Sequence, residues 1–168
     1  MAVAIIATVS GATSNSYITL ADFDTYLETR VSNTKADAAT DDQKNRALVQ
    51  AARILDRYVV WYGTKAESTQ ARAHPRTNLY DRNAVSLSST AIPQVILDAA
   101  CEIAILLITA DRQVEVDQKG VKSFGVGSLN FEFDKYDAKR VLPAYIWQIV
   151  SHLGDRVSGG MGFAVNRG

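Results

Sequence analysis

The stretch from Ala91 to Ala110, AIPQVILDAACEIAILLITA, is the longest apolar run in the chain and the strongest constraint on its fold. Ser88, Ser89 and Thr90 precede it with hydroxyls able to cap free N–H groups. Pro93 suits a first helical turn, where its missing donor costs nothing. Ile92, Val95, Ile96, Ala99, Ile103, Leu106 and Leu107 recur at helical spacing, and Ala100, Ala104 and Ile108 widen the stripe almost all the way round. A helix that apolar needs neighbours on most sides, which predicts a central core helix. Asp98 and Glu102 interrupt it and leave fewer than the ~18–20 clean apolar residues a bilayer requires, so no membrane span is expected.

The other elements must therefore wrap this helix, and 168 residues suffice for one domain that buries a core without disulfides. The 18 basic and 18 acidic side chains balance to zero net charge and are dispersed. That balance argues against a general nucleic-acid binder, which carries a basic excess or stripe. A single cysteine rules out an internal disulfide, and with two histidines it cannot make an ordinary structural zinc site. Cys101 lies inside the apolar helix and reads as buried filler. The opening MAVAIIATVSG is apolar but has no positively charged segment before it, so it does not read as a secretory signal and a cytosolic product is expected.

Val3 to Val9 favour a short strand or an extended arm, and Gly11 to Ser16 a turn. Thr19 with Asp22 resembles a capping box, and Ile18 with Phe23 a hydrophobic staple. They open a helix to about Arg30 that buries Leu20, Phe23, Tyr26 and Leu27. Val31 to Thr40 reads as an exposed loop. A second helix is expected from Thr40–Asp42 to about Tyr62, stopped by Gly63, with Leu48, Ala51, Leu55, Tyr58, Val59 and Tyr62 inward. Thr64 to Ser89 has little periodicity, and a loop this long is usually functional or pinned by partners. Val121 to Phe133 reads as a β-hairpin around Gly127–Ser128, with Leu129, Phe131 and Phe133 on one face. A last helix, Pro143 to Leu153, places Tyr145, Ile146, Ile149, Val150 and Leu153 inward. The fold class is thus mainly α: a small helical bundle, residues 1–154, with a hairpin and extended N- and C-terminal arms. The arm at 155–168 is glycine-rich, and Met161, Phe163 and Val165 alternate as on a strand that could join another sheet edge.

Catalytic signals are weak. Gly125-Val126-Gly127 lacks a third glycine, a following helix and a P-loop lysine. Asp98 and Glu102 stand one helical turn apart and mimic an acid–base pair. Carboxylates on an apolar helix need partners, however, and Arg46, Arg53 and Arg57 form a stripe on the neighbouring helix that could supply structural ion pairs. His74 has no companion nucleophile, and His152 sits near a helix end where a cation is favoured. Trp61, Tyr62 and Lys65 resemble a base-stacking platform, although Tyr62 also fits the core stripe. No enzyme, cofactor or metal is expected.

With these elements in order, the chain resembles a bacteriophage protein family often labelled DnaT-like single-stranded-DNA-binding protein. The resemblance rests on NSYITLADFDTYL (Asn15–Leu27), ARILDRYVVWYG (Ala52–Gly63), Gln70-Ala71 and HPRTNLYDR, where relatives typically carry tryptophan in place of His74. It continues through AIPQVILDAACEIAI (Ala91–Ile105) and VKSFGVGSLNFEF before a proline-initiated helix. Members of this family resemble head–tail connector adaptors of tailed phages. That likeness implies a virion neck protein, a ring of about twelve subunits beneath the portal, bound also to a tail or neck stopper protein. It further implies an inter-subunit hairpin (Phe124, Val126, Leu129, Phe131 and Phe133) and a portal-docking arm (Met161, Phe163, Val165 and Arg167). DNA would pass through the channel without specific binding. The alternative is a single-stranded-DNA-binding module in phage replication; the charge balance predicts no measurable oligo-dT affinity at physiological salt.

Overall fold

The computed structural model describes residues 3–31, 34–109, 123–126, 129–132 and 142–157. Its helices are α1 (Leu20–Glu28), α2 (Thr34–Asp37), α3 (Asp41–Tyr58), α4 (Gln94–Thr109) and α5 (Ala144–Val150). The strands are β1 (Val59–Trp61), β2 (Thr64–Lys65), β3 (Arg76–Thr77), β4 (Ser123–Val126), β5 (Leu129–Glu132) and β6 (Gly154–Arg156). They pair antiparallel as three two-stranded ribbons, β1 with β6, β2 with β3 and β4 with β5. The expected helical bundle with a hairpin is the architecture found.

The central helix is α4. It lies most extensively along α3 and also carries α5 and α2. Ile96, Ala99, Ala100, Cys101, Ile103 and Ala104 are buried with Leu48, Ala51, Ala52 and Leu55 of α3 in one cluster. The alanines on both helices let the backbones approach closely, while Leu48, Leu55 and Ile103 fill the space between. The helix begins at Gln94, and the Pro93 carbonyl accepts from the N–H groups of Ile96 at 2.9 Å and Leu97 at 3.4 Å. The Ser88 hydroxyl instead accepts from the Thr90 N–H. The last turn, including Leu106 and Leu107, is only half-buried.

Capping fixes two other starts. The Thr19 hydroxyl accepts from the Asp22 N–H at 3.2 Å, and Phe23 and Leu27 of α1 are buried. Leu20 and Tyr26 are half-buried, and the helix stops at Glu28, short of Arg30. Thr40 and Gln43 form a full capping box, each side chain accepting from the other residue's backbone N–H.

Several expectations are corrected. The supposed loop between the first two long helices contains α2, whose Ala36 is buried. The second long helix ends at Tyr58, four residues before Tyr62. Val59, Val60 and Trp61 leave it as a strand because β-branched and aromatic residues fit a ladder better than a final helical turn, and β6 supplies the partner. Tyr62 therefore points outward, and so does Tyr145 of α5; both are exposed. The domain also extends past Gly154. Asp155 pairs with Val60, and the Val157 N–H bonds to the Tyr58 carbonyl at 3.1 Å, so these residues belong to the fold rather than to an arm. Residues 3–8 form no regular element, Val9 begins a turn, and Asn15 takes the place of a neighbouring strand. Its amide accepts from Ile6 N–H and donates to the Ala4 carbonyl, both at 2.8 Å.

Candidate nucleic-acid interface

The stripe Arg46, Arg53 and Arg57 lies on the outer face of α3, and all three residues are exposed. Together with Val3, Val49 and Gln50 they line an open groove of about 450 Å³. The spacing explains the alignment: positions 46, 50, 53 and 57 recur at intervals of four, three and four, which returns them to one face. The second wall is the N-terminal arm. The Val3 N–H donates to Asp42 Oδ1 at 3.1 Å, and Asn45 Nδ2 donates to the Val3 carbonyl at 3.0 Å. Val3 and Gln50 were not singled out in the sequence. Gln50 was legible from the helical period, whereas Val3 arrives by a contact across 39 residues.

These arginines do not reach α4. Arg46 pairs with Asp42 one turn earlier, and no salt bridge among the described residues engages Arg53 or Arg57. The expected ion pairs with Asp98 and Glu102 are thus corrected. Glu102, 5% exposed, receives the Arg30 guanidinium and the Tyr26 hydroxyl from the end of α1. Asp98 accepts from Gln94 Nε2 at 2.9 Å. The physical reason is facing: the stripe on α3 that packs on α4 is apolar, so the arginines sit on the opposite side. Burial and the Glu102 carboxylate drive the Tyr26 phenol well above its ordinary pKa.

The loop from Thr64 to Ser89 is pinned by its own polar groups. Gln70, 3% exposed, donates to the carbonyls of Arg72 at 2.9 Å and Pro75 at 3.1 Å. Its Oε1 accepts from the Glu67 N–H at 3.0 Å. Arg76 spreads its guanidinium over the carbonyls of Tyr62 (2.6 Å), Gly63 (2.7 Å) and Ala73 (3.1 Å). The Tyr17 hydroxyl bonds Asp56, which also holds Arg72 at 3.3 Å. Burial raises the pKa of both Tyr17 and Asp56. The bonds of Arg76 to Tyr62 and Gly63, and those of Asp56 to Tyr17 and Arg72, join residues far apart in the chain, and no local pattern announces them.

The aromatic platform does not assemble. Trp61 is buried against the His74 ring, while Tyr62 is exposed and Lys65 Nζ donates to the Gln70 carbonyl at 3.1 Å. Burial and nearby Arg76 push the His74 pKa down to about 3, so its imidazole is neutral. His152 is likewise corrected: burial and Arg82 lower its pKa, disfavouring the cation expected at that helix end. Cys101 is buried as expected, and burial pushes its thiol up to about 12.

Among the described residues, no cluster of His, Cys, Asp and Glu could hold a metal, and no helix is long and apolar enough to cross a membrane. The hairpin appears where it was expected, with Phe124 opposite Phe131 and Val126 opposite Leu129. Phe133 and the arm residues Met161, Phe163, Val165 and Arg167 lie outside the described residues.

A family model described as "Putative DnaT-like ssDNA binding protein" matches residues 1–168. The chain belongs to this family. No curated protein and no solved structure in the comparisons matches it.

Proposed function

We propose that the chain binds single-stranded DNA through phosphate contacts along the arginine face of α3. The observation that carries this reading is the groove in which Arg46, Arg53 and Arg57 stand on one side of a helix. The family description supports the same ligand. Three cations on a neutral chain are few, and Trp61 is not presented for stacking. Binding is therefore weak and sequence-independent, with a log–log salt slope of about −2 if each arginine meets one phosphate. It fades toward physiological salt and is measurable at low ionic strength. Fluorescence anisotropy with labelled oligo-dT across a salt series tests this. Replacing Arg53 and Arg57 together by Glu should abolish the low-salt signal. Undiminished binding in that variant, or none by the parent at low salt, rejects the reading.

A second reading is a head–tail connector subunit in the virion neck. It is favoured by the balanced charge and by the β4–β5 hairpin inserted between α4 and α5. In it the hairpin packs between subunits of a ring of about twelve, which meets the portal on one side and a neck stopper protein on the other. DNA then passes without specific binding. Electron microscopy of virions, with this chain traced at the portal, decides for the connector; virions lacking the chain decide against it.

A further inference from the structure

The groove on α3 is not uniformly basic. Asp42 stands in the first turn of the helix, one turn before Arg46, and its two carboxylate oxygens have separate partners. Oδ1 accepts from the Val3 N–H at 3.1 Å, which holds the second wall of the groove in place. Oδ2 lies 2.5 Å from Arg46 Nη2. One of the three guanidiniums is therefore already paired with an anion, whereas no salt bridge among the described residues engages Arg53 or Arg57.

The Arg46 side chain is 61% exposed and that of Asp42 32%, and so open a pair adds little to folding. Its effect falls on an incoming ligand. A phosphate at Arg46 must either displace the carboxylate or sit beside it, and two anions on one cation repel each other. Nor does that contact release a counterion, because Asp42 already serves as one. Arg53 and Arg57 carry neither penalty, and they stand one helical turn apart, about 6 Å along the axis.

Building on the single-stranded-DNA reading, we infer that Asp42 is a competitor built into the groove. It withholds Arg46, so phosphates are held at the Arg53–Arg57 end alone. Asp42 thereby sets both the strength of binding and the part of α3 on which the strand lies. The salt slope of the parent is then about −1.4, from two contacts, and reaches about −2 only when Asp42 is neutralised.

Neutralising Asp42 in the full-length chain tests this. Asp42→Asn keeps an oxygen for the Val3 N–H and removes the anion at Arg46. Glu28→Gln makes the same change in net charge at an exposed residue outside the groove lining. In low-salt anisotropy with labelled oligo-dT, Asp42→Asn should bind at least about threefold tighter than the parent, with a salt slope steeper by about 0.7. Glu28→Gln should leave both nearly unchanged. Arg46→Ala should cost the parent less than Arg53→Ala does, yet cancel the gain in the Asp42→Asn background. A parent that binds while Asp42→Asn changes neither affinity nor slope overturns the inference and leaves the DNA reading standing. An equal gain in Glu28→Gln overturns it too, since net charge would then account for the effect. A loss in Arg46→Ala as large as in Arg53→Ala, both made in the parent, does so however Asp42→Asn folds. A parent that binds no oligo-dT at low salt fails the DNA reading itself, and the inference with it.

Discussion

Trp61 meets His74 edge-on, with ring centroids 4.5 Å apart and planes at 84°. The contact ties the strand that follows α3 to the HPR turn and fills the space beneath the long loop. Both His74 ring nitrogens and Trp61 Nε1 lack hydrogen-bond partners among the described residues. The site is thus used as aromatic packing, and its polar atoms are a liability.

The first prediction follows from that liability. The folded His74 pKa is near 3, below its ordinary value of 6.5. The unfolded chain therefore binds the extra proton between those values, and stability falls as pH drops through that window. The full loss is on the order of 5 kcal/mol at about 1.4 kcal/mol per pKa unit. Urea midpoints should fall between pH 7 and pH 4, and His74→Phe should flatten most of that decline. An equal decline in the variant would assign it to other groups.

Glu102 is a second sensitive point, since its carboxylate is almost wholly buried while Arg30 is 37% exposed. Arg30→Met leaves the buried Glu102 carboxylate with the Tyr26 hydroxyl at 2.6 Å as its remaining partner and should cost about 3 kcal/mol. Glu102→Ala leaves a guanidinium that water still reaches and a half-buried phenol, and should cost less, about 1–3 kcal/mol. A double-mutant cycle on Arg30 and Glu102 should give a coupling of at least about 1 kcal/mol. Additive effects would contradict the pairing.

Core position separates two leucines. Leu48 is fully buried in α3, so Leu48→Ala should cost about 2–5 kcal/mol through cavity formation. Leu106 lies in the half-buried last turn of α4, and Leu106→Ala should cost clearly less. Thermal denaturation of both variants ranks them; the reverse order would mean that the end of α4 is the better-packed part.

Gly63 turns the chain between β1 and β2 with φ +66°. A Cβ there would lie 2.2 Å from the Thr77 carbonyl oxygen, a contact that the paired backbone cannot relieve cheaply. Gly63→Ala should lower stability by about 2 kcal/mol or more, beyond the gain from a stiffer unfolded chain. A melting temperature at or above that of the parent would show that the turn can rearrange.

Local chemistry determined much of this protein. The apolar run fixed α4 as the core helix, Thr19 and Thr40 fixed two helix starts, and the Val121–Phe133 pattern located the hairpin. Each depends on residues within a few positions of one another, where periodicity, capping and turn propensity act directly. The tertiary structure alone decided which side of α3 faces α4, and so turned the arginine stripe from an ion-pair partner into an open groove. It gave Glu102 to Arg30 across 72 residues and drew Val59–Trp61 out of the helix to meet Gly154–Arg156. Helical spacing states which residues share a face but not what that face meets. A strand's preference is likewise only realised when its partner arrives from the far end of the chain.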